Sequence, residues 1–150
     1  MKTPISMPNI PDKRKVSLTR AYRFSAAHRL TSPFLDAEEN RRVYGKCGNP
    51  AGHGHNYLLR VTVRGPVDPV TGSVFPVSKL DEIVGQNVIE PFDHRNLNHV
   101  LGNIPIVTSE VLAEEIWRRL TPHLTGVEFE RIEIDETRKN SFSYPVIEPK

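Results

Sequence analysis

Between Cys47 and Val63 the chain reads Cys-Gly-Asn-Pro-Ala-Gly-His-Gly-His-Asn-Tyr-Leu-Leu-Arg-Val-Thr-Val, and this stretch constrains the fold more than any other. Its second half, Tyr57 to Val63, alternates as a strand does. Side chains two apart on a strand share a face, so His53 and His55 point the same way. Gly52 and Gly54 leave the backbone free to turn closely beside them. The sole cysteine of the chain, Cys47, is separated from His53 by five residues. Two imidazoles on one face beside a thiol are a donor set for zinc.

Other segments can be ordered around that strand. A first strand is predicted from Val16 to His28, and a short helix from Asp36 to Tyr44 that ends at Gly45. The strand that starts at His53 runs to Arg64. Asp68-Pro-Val-Thr-Gly72 reads as a turn, after which Ser73 to Val77 is expected to pair back as a hairpin arm. Ser78 and Asp81 have the spacing of a capping box for a helix whose apolar stripe is Leu80, Ile83, Val84 and Val88 and whose end is marked by Pro91. A second helix, capped by Thr108 or Ser109, presents Ala113, Ile116, Trp117 and Leu120 on one face. Glu128 to Thr137 alternates again, with Ser141 to Ile147 as its expected partner. The order is ββααββ, an α+β domain with helices over one face of an antiparallel sheet. Met1 to Lys15, with Pro4, Pro8 and Pro11, reads as a flexible arm; residues 16–150 read as one domain.

Composition excludes several functions. A net charge of +2, with basic residues scattered among acids, argues against nucleic acid binding. No apolar stretch approaches membrane-spanning length, and the N-terminal arm has no signal-peptide core, so a cytoplasmic location is expected. A single cysteine rules out an internal disulfide.

A catalytic zinc needs about three protein ligands and an open position. His28, at the end of the first strand, is the best candidate to join His53 and His55. Cys47 has two readings: a fourth ligand that closes the site, or a thiol activated by a nearby dication and Lys46. Asp93-His94 reads either as an orienting pair or as a polar turn with a solvated histidine. Thr108-Ser-Glu110 offers hydroxyls and free N–H groups at a helix start.

Taken in order, Phe24-Ser-Ala-Ala-His28-Arg-Leu30, Phe34-Leu35 with Glu38-Glu-Asn40, Tyr44-Gly-Lys-Cys47, Gly52-His-Gly-His-Asn-Tyr57, Asp68-Pro-Val-Thr-Gly72, Asp93-His-Arg-Asn-Leu97, Thr108-Ser-Glu110 and Glu136-Thr137 resemble the 6-pyruvoyltetrahydropterin synthase family. The Cys47–His53 spacing resembles its pyruvoyl-forming branch rather than the related 6-carboxytetrahydropterin synthases. The resemblance implies a tunnelling fold whose sheets join between subunits into barrels, assembled as a homo-hexamer of two trimers. It implies Zn2+ on His28, His53 and His55, and Cys47 as a base served by Asp93 and His94 across a subunit boundary. Glu136 would anchor the pterin ring, helped by Thr108, Ser109 and Glu110. The implied reaction turns 7,8-dihydroneopterin triphosphate into 6-pyruvoyltetrahydropterin by elimination of triphosphate, a step toward tetrahydrobiopterin. Arg41, Arg42, Lys46, Arg95 and Arg138 are cationic candidates for the triphosphate. Lys79, Phe92 and Arg138 depart from the family pattern. The alternatives are a 6-carboxytetrahydropterin synthase or side-chain-cleaving relative, and a non-catalytic zinc or pterin-binding module.

Overall fold

The computed structural model describes residues 2–6, 15–146, 148 and 149. Two long strands form its spine: β1 (Lys15–His28) and β2 (His53–Pro66), antiparallel over their full length. β4 (Glu128–Asp135) pairs with the far edge of β2, and β5 (Ser141–Tyr144) with β4. β3 (Arg95–Asn96) adds two residues, parallel, to the other edge of β1, which gives the order β3-β1-β2-β4-β5.

Alternation decides what each face does. Phe24 and Ala26 of β1, Tyr57, Leu59, Val61 and Val63 of β2, and Ile132 and Ile134 of β4 turn one way and are buried. Full burial of each large apolar side chain contributes roughly 1.5–3 kcal/mol. Helices cover that face: α2 (Val77–Val84) through Leu80, Ile83 and Val84, and α5 (Ser109–Leu120) through Leu112, Ala113, Ile116 and Leu120. The opposite face is polar, with Thr19 and Thr62 hydroxyls 2.8 Å apart and Arg60 on both oxygens of Asp135 at 3.2 and 3.1 Å. The α+β reading therefore holds, with one core.

Helix α1 (Ala37–Tyr44) buries none of its side chains and is held by its ends. Asp36 accepts from the Glu39 N–H at 2.8 Å, and Glu39 accepts from the Asp36 N–H at 2.9 Å. The Asn40 amide ties it down by donating to the carbonyls of Ser32, Leu35 and Asp36. Thr108 caps α5 by accepting from the Val111 N–H.

Several expectations need correction. Ser73 to Val77 is not a hairpin arm: Phe75 turns into the core, Pro76 has no N–H for a ladder, and Val77 begins α2. No capping box forms at Ser78, because α2 is entered from Pro76 and Asp81 is engaged elsewhere. Asp81 takes two bonds of 2.9 Å from Arg20 and one of 2.8 Å from Tyr22, a charged arrangement stronger than a single cap contact. Pro91 does not end the helix. A wider π turn over Gly85–Ile89, in which the Glu90 N–H reaches back to Gly85, accommodates it, and α3 (Glu90–Phe92) completes the rod. The segment after Phe92 holds β3 and a helical turn, α4 (Leu97–Val100). β4 stops at Asp135 rather than Thr137, and β5 at Tyr144, with Ile147 outside the described residues. Of the N-terminal arm, Lys15 already belongs to β1, while Met1 and residues 7–14 lie outside the described residues.

Two of the departing residues take part in separate cation–π contacts. Lys79 lies over the Phe75 ring at 5.4 Å, and Phe92 lies under the Arg119 guanidinium at 4.8 Å.

Candidate metal centre and active site

The β1–β2 register pairs His28 with His53 and Ala26 with His55. Alternation then turns all three imidazoles to the helix-covered face. Gly52, at φ +73°, makes the close approach possible: a Cβ there would come within 3.2 Å of the His28 carbonyl oxygen. The ring centroids lie 4.6, 5.2 and 4.7 Å apart, and one nitrogen from each ring falls within 4.8 Å of the others.

The tautomer of His28 follows from its partner. Its Nδ1 sits 2.8 Å from the Val107 carbonyl, which only accepts, so Nδ1 carries the proton and Nε2 keeps a lone pair. That Nε2 is 3.0 Å from Nε2 of His53. Nitrogens bound tetrahedrally at about 2.0–2.1 Å from zinc lie roughly 3.3 Å from one another, close to this spacing. His53 Nδ1 and His55 Nε2 are buried with no hydrogen-bond partner. Each such orphan costs roughly 1–3 kcal/mol, and a bound cation would offset that of His55. Burial pushes the His28 and His55 pKa values down, partly opposed by the Val107 bond in His28 and by Glu136 beside His55. Both are therefore held neutral, the ligating form. Three converging imidazoles, with no fourth protein donor among the described residues, fit zinc with an open coordination position.

Beyond the rings lies a polar extension. Ser109, buried at the first residue of α5, donates to Glu136, whose other oxygen is 3.8 Å from His55 Nε2. Tyr57 stands two residues beyond His55 on the same face, with ring centroids 5.5 Å apart and its hydroxyl buried without a partner. Burial and the Glu136 charge raise its pKa. This extension groups a carboxylate with two hydroxyls, a set that can recognise a ring edge with N–H donors. Thr108 spends its hydroxyl on the helix cap, and Glu110 is exposed and makes none of these contacts.

Cys47 is a free, half-buried thiol in the tight turn Gly45–Gly48. Its carbonyl accepts from the Leu30 N–H at 2.9 Å, which fixes the turn two residues beyond His28. It is not one of the converging donors, so the fourth-ligand reading has no support here.

Asp93 and His94 do meet: Oδ2 of the one is 3.0 Å from Nδ1 of the other. Both are clamped to Ser25, whose N–H donates to Asp93 at 2.9 Å and whose carbonyl accepts from the His94 N–H at 2.6 Å. The Ser25 bond and the His94 ring hold the Asp93 carboxyl below its usual range. His94 takes φ +56° and leaves its side chain 83% exposed. It borders a cavity of about 430 Å³ with His55, Asn56 and Arg95, and Cys47 does not line that cavity.

Sequence reasoning missed Val107, Tyr57 and Ser25. Tyr57 was detectable from its period-two relation to His55. The Val107 carbonyl and the Ser25 backbone carry no side-chain signal.

The family model for 6-pyruvoyl tetrahydropterin synthase matches residues 17–146. A protein of Poecilia reticulata named 6-pyruvoyl tetrahydrobiopterin synthase is 44% identical over 138 residues, covering 91% of this chain and 94% of that relative. The human protein of the same name is 39% identical over 132 residues, covering 87% and 91% respectively. The solved 6-pyruvoyl tetrahydropterin synthase of Caenorhabditis elegans superimposes with a TM-score of 0.83 at 37% identity, covering 90% of this chain and 98% of that one.

Proposed function

The chain belongs to the 6-pyruvoyl tetrahydropterin synthase family, and from that premise we propose that it is a zinc-dependent carbon–oxygen lyase. Its substrate is 7,8-dihydroneopterin triphosphate, and its products are 6-pyruvoyltetrahydropterin and triphosphate. The observation that carries this reading is the convergence of His28, His53 and His55 within 4.8 Å, next to the Ser109–Glu136 pair.

His28, His53 and His55 would hold zinc, which when bound supplies Lewis acidity toward the side-chain hydroxyls of the pterin. Glu136 accepts from the amino and ring N–H groups of the pterin, with its orientation set by Ser109. Thr108 caps the helix that carries Ser109, and Glu110 follows in its first turn. Cys47 withdraws protons from the substrate side chain and returns them, so the rearrangement needs no redox cofactor. Asp93 stabilises the imidazolium of His94 as that pair relays the proton.

In a single chain the Asp93–His94 pair faces another cavity than the Cys47 turn, so we assign it to the site of an adjacent subunit. The sheet supports such an assembly. Among the described residues, β1 is paired on its outer side only at Ala26 and Ala27, and β5 leaves the other edge free. Long open edges call for partners, and edge-to-edge joining into trimeric barrels stacked as a hexamer would supply them. A single free cysteine suits a reducing cytoplasm.

The test is anaerobic incubation of the zinc-loaded chain with 7,8-dihydroneopterin triphosphate, with triphosphate release and product mass followed together. A pyruvoyl product lost in Cys47→Ala supports the assignment. Aldehyde release, or turnover unchanged in Cys47→Ala, refutes it.

A further inference from the structure

A second cavity, of about 340 Å³, lies behind the Cys47 turn, between that turn, α1 and the segment that follows β1. It falls at the lower end of the size range of small-molecule sites. Arg29 and Arg41 line it, together with Thr31 and the backbones of Gly45 and Gly48, and no carboxylate does. Arg20, Arg60, Arg118, Arg119 and Arg131 each pair with an acid, whereas Arg29 and Arg41 have no acidic partner among the described residues. Arg29 directly follows His28, and its Nε donates at 3.1 Å to the carbonyl of Gly48, which lines the same cavity. Gly48 is required there, since a Cβ would meet the Leu30 carbonyl at 3.2 Å. The Asn40 amide is spent on backbone groups and stands as a prop.

Two unpaired guanidiniums without a competing acid form an anion site. It is joined by single chain steps to a metal ligand on one side and to the thiol on the other. We propose that this cavity holds the polyphosphate tail of the substrate; for the identity of the anion the inference rests on the pterin triphosphate reading. In the elimination the base takes a proton from the carbon beside the phosphorylated one. The C–H electron pair becomes the new double bond, and the C–O pair departs with triphosphate. Arg29 and Arg41 then meet the charge that develops on the leaving oxygen. Arg95 lines the other cavity.

Calorimetric titration of the full chain with inorganic tripolyphosphate tests the site without any turnover. Arg41→Met and Arg29→Met should each weaken binding roughly tenfold, the loss of a charge-assisted contact, while Arg64→Met leaves it unchanged. Because Arg29 also braces the Cys47 turn, the alkylation rate of Cys47 is read in parallel, and Arg41→Met stands as the variant free of that effect. Tripolyphosphate affinity indifferent to both cavity arginines, or equally weakened by Arg64→Met, overturns the proposal. Turnover with arginine-independent binding would remove this site and leave the synthase reading standing. Arginine-dependent binding without pterin turnover would do the reverse.

Discussion

Replacing His53 by alanine should separate metal binding from folding. In the wild-type chain, zinc held at a free concentration about a hundred times its measured dissociation constant stabilises the native state by about 2.7 kcal/mol. For a chain of 150 residues, roughly 2–4 °C of melting temperature accompany each kcal/mol, so zinc should raise the midpoint by about 5–11 °C. His53 contributes the nitrogen 3.0 Å from His28, and its other nitrogen is a buried orphan. Its removal therefore takes away a ligand and an unsatisfied group together. In the metal-free chain the lost packing and the lost contact with His28 are offset by removal of the buried orphan, and the midpoint should fall by the equivalent of about 1 kcal/mol or less. With zinc present, the whole metal-induced shift should disappear. Scanning calorimetry with and without a chelator reads both quantities, with Cys47→Ser as the control that keeps the full shift. A zinc shift of equal size in His53→Ala and wild type would refute the three-imidazole site, as would a wild-type midpoint that zinc does not move.

Other outcomes follow from the same geometry. Cys47→Ser should lower turnover at least about a hundredfold, the lower end of what a general base contributes, with zinc affinity unchanged by competition with a fluorescent chelator. Glu136→Gln should raise KM for the pterin by about tenfold or more, because one oxygen that accepts becomes an amide that cannot; an unchanged KM would place the ring elsewhere. Glu115 is buried and accepts from Arg118 and Arg119, which hold its pKa below the usual carboxylate range. Its stabilisation is complete above the ordinary glutamate pKa of about 4.3 and fades as pH falls through the lowered value; Glu115→Gln should flatten that part of a denaturation-versus-pH curve. Gly52→Ala should cost about 1–2 kcal/mol in urea titration from its left-handed φ alone, and should weaken zinc binding as well because the added methyl presses on the His28 carbonyl.

The sequence determined what is local and periodic. Alternation through Phe24–His28 and Tyr57–Val63 fixed which side chains share a face, and with it the His-x-His pair. The Thr108 cap and the Asp36 helix start were legible because a cap needs only neighbours three residues away. Hairpin pairing of Ser73–Val77 failed as a reading because burial of Phe75 beneath the helices outweighed the turn signal before it. The capping role of Asp81 failed because Arg20, sixty-one residues away in the chain, offered it two charged bonds.

Tertiary structure alone decided the rest. The β1–β2 register brought His28 opposite His53, and the loop before α5 delivered the Val107 carbonyl that fixes the His28 tautomer. The same folding joined Ser109 to Glu136, put Asp93 on the Ser25 amide, and closed Arg29 and Arg41 around one cavity. A residue type carries its periodicity wherever it sits, but a carbonyl lone pair or an unpaired guanidinium acquires a role only from what the packed chain sets beside it.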